Sequence, residues 1–280
     1  YLIDNDLNSR SYGRAVMLGL LLSLLLVAAT ILFTNFYHYP VKVVDATPEL
    51  KAELQAPNIA VQTFHHDHNV LALAYSTDGN WLATGGKDKR ILLWDIKKRQ
   101  QLRELAGHGD PIHTLAFSPD NTLLASGSED NTIKLWDPQT GVLQRTLTSP
   151  PAVSSSKYKE VYALAFSVDG TLLASGNWDG GLSLWHIPDG RLLNMWDSKN
   201  GGHSDSVNAL AFSADGQWLA SGAFDSSIKL WQVGQQQLTL QHTLRSDNQY
   251  VFTVAFSPDG QYLASGTHDR NITLWDLAHV

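Results

Sequence analysis

The 280-residue sequence predicts an all-β repeat fold preceded by one transmembrane α-helix. Three observations carry this expectation. A block ending in Ile/Leu-x-Leu-Trp recurs five times. Each copy follows a block of the form Leu/Val-Ala-Phe/Tyr-Ser-x-Asp. One uncharged apolar run stands apart near the start.

The apolar run comes first. Residues 15–33 read AVMLGLLLSLLLVAATILF. At 1.5 Å rise per residue, this run spans roughly 28 Å, close to the hydrocarbon thickness of a bilayer. Phe36, Tyr37 and Tyr39 follow it as an interfacial aromatic belt. We take residues 15–36 as a transmembrane helix, 1–14 as its flank and 37–57 as a linker. The rival reading is a signal peptide cleaved after Val27-Ala28-Ala29. Arg10 and Arg14 precede the run, while Lys42 and Lys51 lie beyond it. The positive-inside bias then puts the repeats on the non-cytoplasmic side of a single-pass membrane protein. Because the first residue is Tyr1, the chain is expected to be processed, truncated or part of a longer product.

The repeats follow. ILLWD ends at Asp95, IKLWD at Asp137, LSLWH at His186, IKLWQ at Gln232 and ITLWD at Asp276. The tryptophans Trp94, Trp136, Trp185, Trp231 and Trp275 recur every 42 to 49 residues. Each unit reads as four short strands. In the fourth unit these are Val207–Phe212, Trp218–Gly222, Ile228–Trp231 and Leu238–Leu244, separated by a Ser-x-Asp-Gly turn and a turn at Asp225. The repeats run at about 64–105, 106–147, 157–196, 202–244 and 246–280. One such sheet cannot bury both faces, but neighbouring copies packed face to face can.

The Gly-His pairs (Gly107-His108, Gly202-His203), the Trp-Asp pairs and the period of about 40 residues resemble the WD-repeat family over 58–280. The resemblance implies β-propeller blades. Offsets of 18, 22 and 28 residues lead from His66 to Thr84, Asp88 and Trp94. The same offsets lead from His108 to Ser126, Asp130 and Trp136, and from His203 to Ser221, Asp225 and Trp231. The resemblance makes each set a structural hydrogen-bonded tetrad. Lys157 and Asp247 replace the histidine in units three and five, so those tetrads are incomplete. The resemblance also implies that residues 58–64 supply the fourth strand of the last blade. Two readings of blade number stay open: a five-bladed ring, or part of a larger ring such as the family's common seven-bladed one.

Phe64-His65-His66-Asp67-His68 invites a metal-site reading. The repeated offsets assign His66 to structure instead, leaving His65, Asp67 and His68 as a residual alternative. No metal or other cofactor is expected. Cysteine is absent, which excludes disulfides and thiolate sites. There is no Gly-x-Ser-x-Gly elbow. Gly85-Gly86-Lys87 fails as a phosphate loop, since Trp81 stands where the first Gly is needed and Asp88 follows the Lys. The net charge of -7 argues against nucleic-acid binding.

In the resembling family, the residue after the first-strand Val/Ile and the residue before the turn Asp face the opening. Here these are Leu71, His113, Tyr162, Asn208 and Phe252, then Lys87, Glu129, Trp178, Phe224 and His268, with Tyr250 nearby. The candidate partner-binding residues are His113, Tyr162, Trp178, Asn208, Phe224, Tyr250, Phe252 and His268, because rim aromatics mark contact hot spots. The expected function is a non-enzymatic scaffold or accessory subunit of a membrane complex. Protein partners, the bilayer through residues 15–36 and no nucleic acid complete that expectation. The alternative is the sensing end of a larger transmembrane receptor whose effector domain precedes residue 1.

Overall fold

The computed structural model describes residues 63–148, 160–247 and 249–279. The expected helix at 15–36, its flank, the linker, Lys157 and most of the 58–64 run lie outside these residues. The blades begin with β1 (Val70–Tyr75), β2 (Trp81–Gly86), β3 (Arg90–Asp95) and β4 (Gln100–Ala106). The second has β5 (Ile112–Phe117), β6 (Leu124–Ser128), β7 (Thr132–Trp136) and β8 (Leu143–Thr148). The third has β9 (Val161–Phe166), β10 (Leu172–Asn177), β11 (Leu182–His186) and β12 (Arg191–Trp196). In the fourth are β13 (Val207–Phe212), β14 (Trp218–Ala223), β15 (Ser227–Val233) and β16 (Leu238–Arg245). The fifth has β17 (Val251–Phe256), β18 (Tyr262–Thr267) and β19 (Ile272–Asp276). Among the described residues, four sheets have four strands and the fifth has three, each an antiparallel meander in chain order.

The meander follows from turn chemistry. In every blade the Ser that ends the first strand donates its hydroxyl to the Asp two residues on. The pairs are Ser76 to Asp78, Ser118 to Asp120, Ser167 to Asp169, Ser213 to Asp215 and Ser257 to Asp259, at 2.5 to 2.6 Å. These Asp carboxyls are held below their usual range, chiefly by that hydroxyl. The left-handed turn position is Gly in four blades. In blade two Asn121 takes it at φ 59°, a conformation that Asn tolerates better than most residues.

The core lies between blades. First strands of consecutive blades run side by side, β1 with β5, β5 with β9, β9 with β13 and β13 with β17. The second strands of blades one to four each carry a glycine where the next blade approaches. A Cβ on Gly85 would sit 3.0 Å from Ile112 Cγ2, on Gly127 2.5 Å from Val161 Cγ1, on Gly176 2.6 Å from Val207 Cγ1, and on Gly222 2.7 Å from Val251 Cγ1. The glycine is therefore a notch that admits the neighbour's β-branched side chain, valine at three of the four junctions. Around it pack the Leu/Ile pair of one blade and the Trp of the next. Leu182, Leu184 and Trp196 meet Leu219 and Trp231 in one such cluster. Trp196 reaches Trp231 with ring centroids 5.4 Å apart, and Phe64 holds the same relation to Trp94 at 4.5 Å.

The two ends of the row differ from its middle. Ile272 and Leu274 on β19 are 61% and 64% exposed, whereas Leu182 and Leu184 on β11 are fully buried. Leu73 and Tyr75 on β1 are also exposed.

Candidate partner-binding face

One face is built five times by the same backbone hydrogen bond. The residue before each turn Asp donates its N–H to the carbonyl two residues ahead of the rim position on the first strand. Lys87 bonds Asn69 at 3.0 Å, Glu129 bonds Pro111 at 3.0 Å and Trp178 bonds Glu160 at 3.0 Å. Phe224 bonds Ser206 at 2.9 Å and His268 bonds Tyr250 at 3.1 Å. This lock sets the two rim positions of each blade next to each other.

The rim side chains form two aromatic groups. His113 stacks on Tyr162 at 4.4 Å, and Tyr162 lies 5.4 Å from Trp178. Phe224 stacks on Tyr250 at 4.9 Å and meets Phe252 edge-on at 5.4 Å. His268 closes this second group, 6.0 Å from both Tyr250 and Phe252. Between the groups in blade order, Asn208 folds back on Ser206, donating to its carbonyl at 3.0 Å. Tyr250 is 45% exposed, while His113 and Phe224 are buried. Those two support the surface; Tyr250 and His268 present it.

Two carboxylates edge the first group. Glu129 lies 2.7 Å from His113 Nε2, and Tyr162 donates its hydroxyl to Glu160 at 2.8 Å. Burial and the Glu160 bond push the Tyr162 hydroxyl well above the usual tyrosine range, so it stays a neutral donor. Glu160 escaped the sequence reading, because it precedes the strand and only the fold returns it to the ring of Tyr162.

Behind the face lie the tetrads. In blade two Asp130 accepts from His108 Nδ1 at 2.8 Å, Ser126 Oγ lies 2.7 Å from Nε2, and Trp136 Nε1–H donates to Ser126 at 2.8 Å. In blade one His66 lies 2.8 Å from Asp88 and 2.6 Å from Thr84, with Trp94 donating to Thr84 at 2.8 Å. In blade four His203 lies 3.1 Å from Asp225 and 2.7 Å from Ser221, with Trp231 donating at 2.9 Å. Every group finds a partner if Nδ1 carries the proton and the hydroxyl donates to Nε2. Burial holds the His203 ring below its usual range and opposes the neighbouring Asp225, so the ring is neutral. Burial resists ionisation of Asp130 and Asp225, but hydrogen bonds from His, hydroxyl and backbone N–H outweigh it and lower both.

A Ser-His-Asp chain of this geometry is also that of a hydrolase triad. Access separates the two. Ser126 and Ser221 are fully buried, and their oxygens accept the indole N–H. No acyl group can reach them. In blades three and five, Trp185 donates to Ser175 and Trp275 to Ser265, both at 2.9 Å. The Asp there hydrogen-bonds within its own turn. Asp179 accepts from Gly181 N–H, and Asp269 accepts from Thr267 and Asn271. At the His65–His68 stretch, Asp67 is engaged by Arg90. Among the described residues no three His, Cys, Asp or Glu side chains converge as a metal site.

Meandering four-stranded blades, notched against each other and tied by His-Ser-Trp-Asp chains, define a WD-repeat propeller architecture. The chain belongs to the WD40 family (WD domain, G-beta repeat), which matches residues 59–95, 99–137, 143–186, 196–232 and 238–276. Among curated proteins, it is 40% identical over 48 residues to the U3 snoRNP-associated protein-like YAO of Arabidopsis thaliana. That match covers 17% of this chain and 10% of the relative. It is 51% identical over 39 residues to the YAOH protein of the same description from Oryza sativa subsp. japonica, 14% of this chain and 8% of the relative. It is 40% identical over 47 residues to the human U3 small nucleolar RNA-interacting protein 2, 17% of this chain and 10% of the relative. The match thus spans about a tenth of each relative's length, roughly one repeat.

These names correct two expectations. The sequence suggested a single-pass membrane location with the repeats on the non-cytoplasmic side. It also suggested partners confined to a membrane complex and the bilayer, without nucleic acid. The relatives are named instead for a ribonucleoprotein and its RNA. Among the described residues no helix is long and apolar enough to cross a membrane; residues 15–36 lie outside them. The charge argument failed physically because a net charge averages over the chain, while recognition reads local surface. The location had rested on the hydropathy of one segment.

Proposed function

We propose that this chain is a non-enzymatic scaffold, or accessory subunit of a larger assembly, that holds protein partners on the aromatic rim of blades two to five. The observation that carries this is the pair of ring clusters, Tyr162 with Trp178 and Tyr250 with Phe252 and His268, mounted on buried supports. Rigid aromatic side chains offer large contact area at low entropic cost, which suits a protein hot spot. Glu129 and Glu160 add an acidic edge that favours a basic or amide-rich partner segment.

The test is cross-linking of the tagged full chain in its native extract, followed by mass spectrometry, for wild type and for Tyr250→Ser and Trp178→Ala. Cross-links should map to this rim, and the cross-linked partner should be lost from both variants while their circular dichroism stays native. Retention of the partner by both variants overturns the reading.

A second reading concerns the assembly. The relatives' names favour a ribonucleoprotein component as the partner. In that case ribonuclease treatment before capture releases the partner, or an RNA is recovered with it. A partner retained after ribonuclease, with no RNA recovered, removes this reading and leaves the scaffold reading intact.

A further inference from the structure

Blade four carries a polar pocket of about 180 Å³ that the aromatic rim and the tetrads do not use. Strand register explains its lining. Ser227 faces Arg245 and Lys229 faces Thr243 across β15 and β16. These four side chains share one side of the sheet, since residues two apart on a strand point the same way. The chain between β12 and β13 lays Ser198 and Ser204 over them. Two cations and four hydroxyls therefore converge on one cavity.

Among the described residues the only carboxylate lining it is Asp225, and its oxygens are already hydrogen-bonded. They accept from His203 Nδ1, from the N–H of Ser204 and Ser227 at 3.0 Å each, and from Ser227 Oγ at 2.6 Å. Among the described residues neither Lys229 nor Arg245 has a carboxylate within ion-pair distance. Burial, together with the neighbouring Arg245, holds the Lys229 ammonium below its usual range against the pull of Asp225. The half-buried Lys229 ammonium thus lies beside the exposed Arg245 guanidinium, with the ionised Asp225 as the one nearby negative charge among the lining residues.

The other blades lack the pair. In blade one Leu92 and Ala106 hold the positions of Lys229 and Arg245, and Arg90, at the Ser227 position, is paired with Asp67 and Glu104. In blade two, Lys134 donates to Thr146 at 3.2 Å, and Thr148 stands where blade four has Arg245. Blade three has Ser183 and Met195 in the positions of Lys229 and Thr243. The cation pair is peculiar to blade four, so the repeat architecture does not require it.

We infer that this pocket is an oxyanion site that binds one phosphate group, free or as a phosphate monoester. A guanidinium and an ammonium supply fork and point donors and leave one net positive charge after Asp225. The serine and threonine hydroxyls complete the shell. A phosphate monoester offers these donors three free oxygens, a phosphodiester only two, so the diester is the poorer match.

The experiment titrates the full chain by calorimetry with inorganic phosphate, with an O-phosphoserine peptide and its unphosphorylated twin, and with a short oligoribonucleotide. Lys229→Met and Arg245→Gln are compared with Lys134→Met in blade two, all checked by circular dichroism. Saturable binding of phosphate or the phosphopeptide is expected, weakened about tenfold or more by either blade-four change and left alone by Lys134→Met. Competition between phosphate and the phosphopeptide tells the free ion from the ester as the preferred source. Absence of saturable binding by both overturns the site. So does binding of the oligoribonucleotide alone, or equal losses in all three variants. Because Arg245 is exposed, its variant is expected to fold, and the wild-type titration can refute the site by itself.

Discussion

Blades three and five carry the same defect and pay different penalties. Each keeps Ser and Trp of the tetrad, with the indole donating at 2.9 Å, and in each the Asp bonds its own turn. Yet Leu182 and Leu184 of blade three are fully buried, while Ile272 and Leu274 of blade five are exposed. The difference is the neighbour. Blade three has β13 to β15 against its outgoing face, and blade five leaves the matching residues open. The tetrad therefore does not bury a blade. It ties the entry loop to the turn of a blade that its neighbours have already buried. Among the described residues, Arg103 Nε of blade one and Asn177 Oδ1 and Ser183 Oγ of blade three lie buried without a hydrogen-bond partner, so such orphans occur with and without a complete tetrad.

The sharpest way to break the comparison is to cut into the two Leu positions. Leu184→Ala should cost roughly 2–5 kcal/mol, the range for a buried Leu that leaves a cavity. Urea unfolding of wild type and variant reads it, and a change under about 0.5 kcal/mol would remove the burial argument. Next is the tetrad itself. His203→Ala removes the ring that links Asp225 to buried Ser221 and should cost about 1–3 kcal/mol. Asp247→Ala, at the matching place in blade five, should change little. Equal costs in the same unfolding measurement would mean that position 247 serves as the histidine does.

Acid sharpens the contrast further. His203 is neutral in the fold, with its pKa below the ordinary 6.5. Above that pH neither state binds the proton. As pH falls through it, the unfolded chain takes up a proton that the folded one refuses, and stability declines. Asp130 and Asp225 lie below the ordinary 3.8 in the fold. Their contribution is present above 3.8 and is lost as pH falls toward their folded values. Thermal melts against pH should show both stages in wild type, and His203→Asn should lose much of the first. An unchanged first stage in that variant would assign it to other histidines. The smallest effect belongs to Ile272→Ser, expected within about 0.5 kcal/mol; a loss of 2 kcal/mol or more, about the value of a buried side chain, would show that something covers β19 in solution.

Some of this was legible in the residues alone. The strands could be read because Ser-x-Asp turns and Trp recur in register, and the offsets of 18, 22 and 28 residues mark groups that the structure joins by hydrogen bonds. The rim positions came from the family resemblance, carried over residue by residue. Their depth did not: nothing in the sequence separates buried Phe224 from exposed Tyr250, since exposure depends on which ring lies over which. Glu160 and the Lys229–Arg245 pair were missed because each meaning arises across strands or loops. The fate of Ile272 and Leu274 was illegible too. Their pattern equals that of Leu182 and Leu184, and only a neighbour distinguishes them.

The glycine notch has a consequence for how the chain is made. Gly127, Gly176 and Gly222 admit Val161, Val207 and Val251, and the three junctions use the same two residue types. A lock that any key opens cannot sort its keys. While several blades are still unassembled, the notch of blade two would accept blade four's valine as readily as blade three's. Correct order must then come from synthesis and tethering: each blade emerges right after the one it docks on, a short connection away. Folding from the ribosome should be more faithful than refolding from denaturant, where all the valines compete at once.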